Sequence, residues 1–166
     1  MKYYKKILLQ VKMILIKNSQ KKIQINENQI TKNLNEILDK INYKNFDINI
    51  WFTTNNTIKK YNKNYRKKNK ATDILSFPFY EKLKAGEQIL ASSKDEQILG
   101  DIIISLEFCK KYAAKNKLNF SDYLIRIIIH GIAHLLGFDH LTDEQFEKMK
   151  KFEKKLLNIL NIKIDI

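Results

Sequence analysis

Apolar and polar positions along the chain switch between a helical period and a strand period, and the switches outline nine elements. Residues 12–17 are rich in Ile and read as a strand, and residues 18–25 as a polar connection. In residues 28–41, Ile30, Leu34, Ile37, Leu38 and Ile41 fall on one helix face. Residues 46–53 (FDINIWFT) begin with the alternation of a half-buried strand, in which Trp51 is read as sheet packing. Residues 54–65 form a helix with Ile58, Tyr61 and Tyr65 on one side, and residues 72–79 a strand ended by Pro78. Residues 98–105 (ILGDIIIS) are apolar enough for a buried strand. Residues 106–117 form a helix through Phe108, Cys109, Tyr112 and Ala113. Ser121 is the candidate N-cap of a helix running to about Leu136, with a core stripe of Leu124, Ile128, Ile132 and Leu135. Thr142 and Gln145 have capping-box spacing and start a last helix, with Phe146, Met149, Phe152, Leu156 and Leu160 as its buried side. Residues 80–97 show no period and read as a loop, long enough to be functional or mobile.

The order β-α-β-α-β-β-α-α-α, without repeat or linker, predicts a single α+β domain over residues 1–166. Its packing is of the α/β type, with a small mixed sheet of about four strands and about five helices. The net charge of +13 and pI of about 9.6 give a field that attracts polyanions: nucleic acid or an anionic membrane. One cysteine, Cys109, allows no internal disulfide and fits a reducing cytosol. The basic, apolar N-terminus is interrupted by Gln10 and Lys12 and followed by no small-residue cleavage site, so it does not read as a signal peptide. No apolar run is long enough for a transmembrane helix.

The chemistry concentrates in HGIAHLLGFDH, residues 130–140, which holds all three histidines of the chain. His130 and His134 are four apart and share a helix face. Gly137 can end the helix in a left-handed turn and bring His140 back toward them. Three converging imidazoles leave the fourth position of a tetrahedral zinc open, as a catalytic site requires. Asp139 is a candidate to accept the free N–H of a ligating imidazole. The spacing equals that of the metzincin peptidases, H-E-x-x-H-x-x-G-x-x-H, but Gly131 stands where their general base Glu would be.

A second stretch, residues 59–70 (KKYNKNYRKKNK), carries Lys59, Lys60, Lys63, Arg66, Lys67, Lys68 and Lys70 and no acid. Basic residues interleaved with tyrosines and amides suit phosphates and unpaired bases. Arg66 is one of only two arginines in a chain that otherwise uses Lys, which suggests a need for a planar, bidentate donor.

The eleven-residue histidine stretch resembles the H-G-x-x-H-L-x-G-[YF]-D-H signature of the YbeY family of bacterial endoribonucleases. Asn62, Arg66 and the strand ATDILSF resemble that family's N-x-x-[YF]-R-x(5)-T-D-V-L-S-F, with Ile74 for Val, and residues 99–102 resemble its L-G-D-I. Asp101 reads as a structural strand carboxylate, while Asp73 is open between that and a site role. Ala133 and Phe138 depart from the usual residues. The resemblance implies a cytoplasmic, single-strand-specific metallo-endoribonuclease acting in 16S rRNA 3′-end maturation and ribosome quality control. It implies one zinc ion per chain on a zinc-hydrolase-like metal helix, with ligands at His130, His134 and His140 and a catalytic arginine at Arg66. The implied partners are single-stranded RNA, the small ribosomal subunit and ribosome-assembly proteins, without a membrane. The competing readings are a zinc peptidase or other zinc hydrolase, and a non-catalytic ribosome-assembly factor whose metal is structural.

Overall fold

The computed structural model describes residues 14–164. Lys12 and Met13, at the start of the first expected strand, lie outside the described residues. The elements are β1 (Ile14–Asn18), α1 (Glu27–Lys40), β2 (Asp47–Thr53), α2 (Asn55–Arg66), β3 (Ile74–Pro78), β4 (Ile98–Ser105), α3 (Leu106–Lys115), α4 (Phe120–Leu135) and α5 (Asp143–Ile159). Their order is the one expected from the hydrophobic pattern. The sheet runs β1-β2-β4-β3; β1, β2 and β4 are parallel and β3 is antiparallel to β4. The fold is therefore α+β on a four-stranded mixed sheet, with β3 as one edge.

Strand alternation splits the sheet into two faces. Ile48, Ile50 and Phe52 of β2 and Ile102 and Ile104 of β4 join the main core with Leu34 and Ile37 of α1 and Ile128 and Ile132 of α4. The opposite face carries α2, where Ile58 packs on Leu75 and Ile103 beside Trp51, Tyr61 and Phe77. Helix α4 lies against β3 and β4, with α5 packed against it. Ten of its sixteen residues are buried, so it is a core helix rather than a half-exposed one.

Two local expectations are revised. The N-cap of α4 is Asn119, whose side chain accepts from Asp122 N–H at 3.1 Å; the helix begins at Phe120, which leaves Ser121 inside the first turn. Phe146 is 45% exposed rather than part of the buried side of α5, because that side is set by Met149, Glu153, Leu156 and Leu157. The stretch 80–97 is the expected loop, with one short 3₁₀ turn, Lys94–Glu96. The capping box of Thr142 and Gln145 is formed as expected.

Candidate active site

The site is built where α4 ends. Gly137 N–H bonds to His134 O at 3.1 Å and Phe138 N–H to Ala133 O at 3.0 Å, a Schellman termination with Gly137 at φ 79°. A Cβ at Gly137 would lie 2.2 Å from the Leu83 carbonyl oxygen, so the turn also needs glycine to let the 80–97 segment approach. This turn folds His140 back over the helix. The ring centroids of His130, His134 and His140 are 4.7, 5.5 and 5.1 Å apart, and one ligand atom from each lies within 4.8 Å of the others. The cluster can hold a metal ion.

Two hydrogen bonds set the ring tautomers. His130 Nδ1 is 2.6 Å from Glu153 Oε1, and His134 Nδ1 is 3.0 Å from the Phe138 carbonyl. Both partners are acceptors, so each Nδ1 is the donor and each Nε2 is turned away from that partner. The two Nε2 atoms are 3.2 Å apart. Two ring nitrogens at that distance share a cation between them, either a proton or a metal ion. Two imidazole ligands of a tetrahedral zinc, each at its usual bond length, stand about 3.3 Å apart. The donor set therefore fits a tetrahedral metal. Burial first, and then the neighbouring imidazoles of His130 and His140, push the His134 pKa down to about 4. Its ring is consequently neutral, the form a metal requires, throughout the physiological range.

Beside the imidazoles opens a cleft of about 890 Å³ lined by Arg66, Lys68, Ser76, Pro78, His134 and His140, with Tyr80, Leu83 and Lys84 of the long loop as one wall. The loop's place is thereby defined. Arg66 is the last residue of α2, and Lys67 follows in the left-handed conformation at φ 58°. Buried Asn62 holds this turn: its carbonyl accepts from Lys67 and Lys68 N–H, and its side-chain amide donates to Lys70 O at 2.8 Å. Arg66 and Lys68 are thus presented to the cleft by a clamped backbone, and both also line a side pocket with Lys70. Lys59, Lys60 and Lys63 are exposed along α2, and Lys67 caps it, with Nζ 3.1 Å from Asn64 O. None of these four lines the cleft.

Asp139 does not reach an imidazole; its Oδ1 accepts the backbone N–H of His140 at 2.8 Å. The carboxylate on a histidine ring is Glu153, which is 2% exposed. The sequence does carry a signal for it: Glu153 sits four after Met149 and three before Leu156, an acid inside the buried stripe of α5. Asp73 accepts from Thr72 Oγ1 and Ile74 N–H at 2.9 Å each, and Asp101 from the Asn49 side chain at 2.6 Å, so both make local structural bonds. Cys109 is fully buried and its thiol pKa is raised by that burial, as a small core residue's would be. Ser76 lines the cleft, and its buried hydroxyl has no hydrogen-bond partner.

Glu153→Gln retains the shape and removes the charge that orients His130. Metal affinity should fall by about 10- to 100-fold, the range for losing such an outer partner. A competition titration against a chromophoric chelator measures it. Unchanged affinity would show that Glu153 only packs.

The family model for Endoribonuclease YbeY matches residues 15–161. A protein named Endoribonuclease YbeY from Pelagibacter ubique is 40% identical over 121 residues, 73% of this chain and 74% of that protein. One of the same name from Clostridium botulinum is 34% identical, with 91% of this chain and 99% of that one covered. The human protein of that name is 34% identical, with 89% and 87% covered. The solution structure of a Thermotoga maritima protein shares the fold, with a TM-score of 0.55 at 23% identity over 89% of this chain and 92% of that one.

Proposed function

The chain belongs to the endoribonuclease YbeY family, whose members are metal-dependent hydrolases of RNA with a role in rRNA maturation, and from that premise we propose how it works. It cleaves single-stranded RNA, holds one zinc ion per chain on His130, His134 and His140, and acts on the 3′ end of 16S rRNA and in quality control of the small ribosomal subunit. Ribosome-assembly proteins are its natural partners and the cytoplasm its compartment. No helix among the described residues is long and apolar enough to cross a membrane.

The observation that carries this reading is one cleft lined both by Arg66 and by His134 and His140, two of the three imidazoles grouped for a metal. When bound, zinc supplies Lewis-acid activation of a water and of a phosphoryl oxygen. The chain's own residues do the rest. Glu153 and the Phe138 carbonyl fix the two helix imidazoles with Nε2 toward the centre. Arg66 offers its fork to the scissile phosphate and stabilises the charge that grows on it. Lys68 and Lys70 follow the backbone on either side, and the exposed lysines of α2 add a field that draws the strand in without reading its bases.

Position 131 argues against the peptidase. A Cβ on Gly131 would lie 2.7 Å from Ile102 Cδ1 and 2.8 Å from Ile74 Cδ1, so this position faces the sheet and not the cleft. A glutamate placed there would enter the core instead of reaching a water on the metal. A purely structural metal needs a fourth protein ligand; among the described residues the cluster offers three, and Cys109 lies buried in α3.

Binding of a single-stranded oligoribonucleotide should weaken steeply with salt. About four phosphate contacts imply a log–log slope of roughly −3 for a single strand. A salt titration by fluorescence anisotropy measures it, beside a cleavage assay with casein. Salt-insensitive binding, or efficient proteolysis, would overturn the assignment.

A further inference from the structure

The face of the sheet opposite α4 carries a groove of about 380 Å³ that the metal chemistry does not use. Its aromatic residues form a chain of contacts. Trp51 meets Tyr61 edge-on at 5.4 Å, Tyr61 lies parallel to Tyr65 (9°, 6.1 Å), and Tyr65 meets Phe77 edge-on at 5.0 Å. Tyr65 is 65% exposed, so much of this large ring is left for a visitor. Lys17 Nζ stands 4.7 Å from the Trp51 ring centroid and brings a cation into the same groove. Its one acid among the described residues, Asp101, is engaged by the Asn49 amide at 2.6 Å.

The groove adjoins the metal cleft. Tyr65 lines the groove and the next residue, Arg66, lines the cleft. On β3, Phe77 faces the groove while Ser76 and Pro78 on either side of it face the cleft. The edge strand β3 is therefore a narrow ridge between the two, and a flexible polymer can cross it. The polymer must be polyanionic to suit a chain of charge +13 and Arg66, and it must carry flat apolar faces to suit Tyr65. A single RNA strand has both. In a duplex the bases are already stacked on one another and cannot be presented to a side chain.

We propose that this groove is a stacking subsite for unpaired bases of the RNA strand whose phosphate lies in the cleft, and that it is what makes the site prefer single strands. The proposal rests on the RNA-cleaving reading above and names where that substrate's bases go.

The test uses metal-loaded protein and a 2′-O-methyl oligonucleotide of roughly ten nucleotides, checked to remain uncut, with a single abasic site moved along it. Tyr65→Ala should weaken binding about tenfold, within the range for one lost base–aromatic stack, and Tyr65→Phe should restore it. Abasic sites at one or two positions should cost the unmodified protein the same factor and cost Tyr65→Ala nothing. Emission of Trp51, the only tryptophan, should change on binding of the intact strand. Salt-sensitive binding that is indifferent both to Tyr65→Ala and to every abasic site would overturn the subsite and leave the RNA reading standing. That is also the result a protein-docking face would give. Failure of the unmodified protein to bind any RNA would remove both.

Discussion

Replacing His134 by alanine is expected to leave a folded protein that neither keeps its metal nor cuts RNA. His134 is the middle of the three rings, 4.7 Å from His130 and 5.1 Å from His140 by centroid. Its Nε2 faces that of His130, and its Nδ1 is tied to the Phe138 carbonyl in the turn that carries His140. Losing it removes one of the proposed ligands and unties the turn that positions another. Two imidazoles, one of them on an exposed turn residue, cannot complete a catalytic zinc site. The fold should persist, since alanine is the best helix former and the core of α4 lies on its other residues. Elemental analysis after dialysis, a gel assay on single-stranded RNA and a thermal melt are the three measurements. Stoichiometric metal retained when all three histidines are replaced by alanine would place the metal elsewhere.

Much of the molecule is legible in its sequence because period and capping are local. The stripe of Ile30, Leu34, Ile37 and Leu38 needs only its own spacing to define α1, and ILGDIIIS needs only its composition to be a buried strand. The histidine cluster is legible for the same reason: one helix and one glycine turn contain it all. What depends on distant contacts is harder to read. Nothing local says that β3 pairs antiparallel with β4 at the sheet edge, although that pairing puts Ser76 in the cleft and Phe77 outside it. Glu153 is 23 residues from His130 and on another helix, so only its anomalous place in an apolar stripe betrays it. Gly131 shows both sides of this. Its glycine is visible as a missing base, while the reason for it, two isoleucine methyls beneath 3 Å from a Cβ, comes from strands that the helix meets only in the fold.

Arg66→Lys separates catalysis from attraction, and the effect on turnover should be large. The positive field does not depend on one side chain, because Lys59, Lys60, Lys63, Lys67, Lys68 and Lys70 surround it. Arg66 differs in place and in shape. It ends α2 on a turn clamped by buried Asn62, and it lines the cleft with His134 and His140. Its planar fork gives two parallel donors to one phosphate, where an ammonium gives a point charge. If that fork acts on the transition state, lysine keeps the charge and loses the geometry. The cleavage step in single turnover should then fall on the order of 10²-fold, as for removal of one oriented donor. Binding of the same RNA should change far less. Lys68→Ala is the control: it shares the cleft but is one of several exposed lysines, so binding should weaken mildly and the cleavage step stay nearly intact. The measurement is cleavage with saturating enzyme beside an equilibrium titration, for both variants on one RNA. Equal, small effects from the two substitutions would make Arg66 an ordinary member of the basic patch and remove it from the catalytic step.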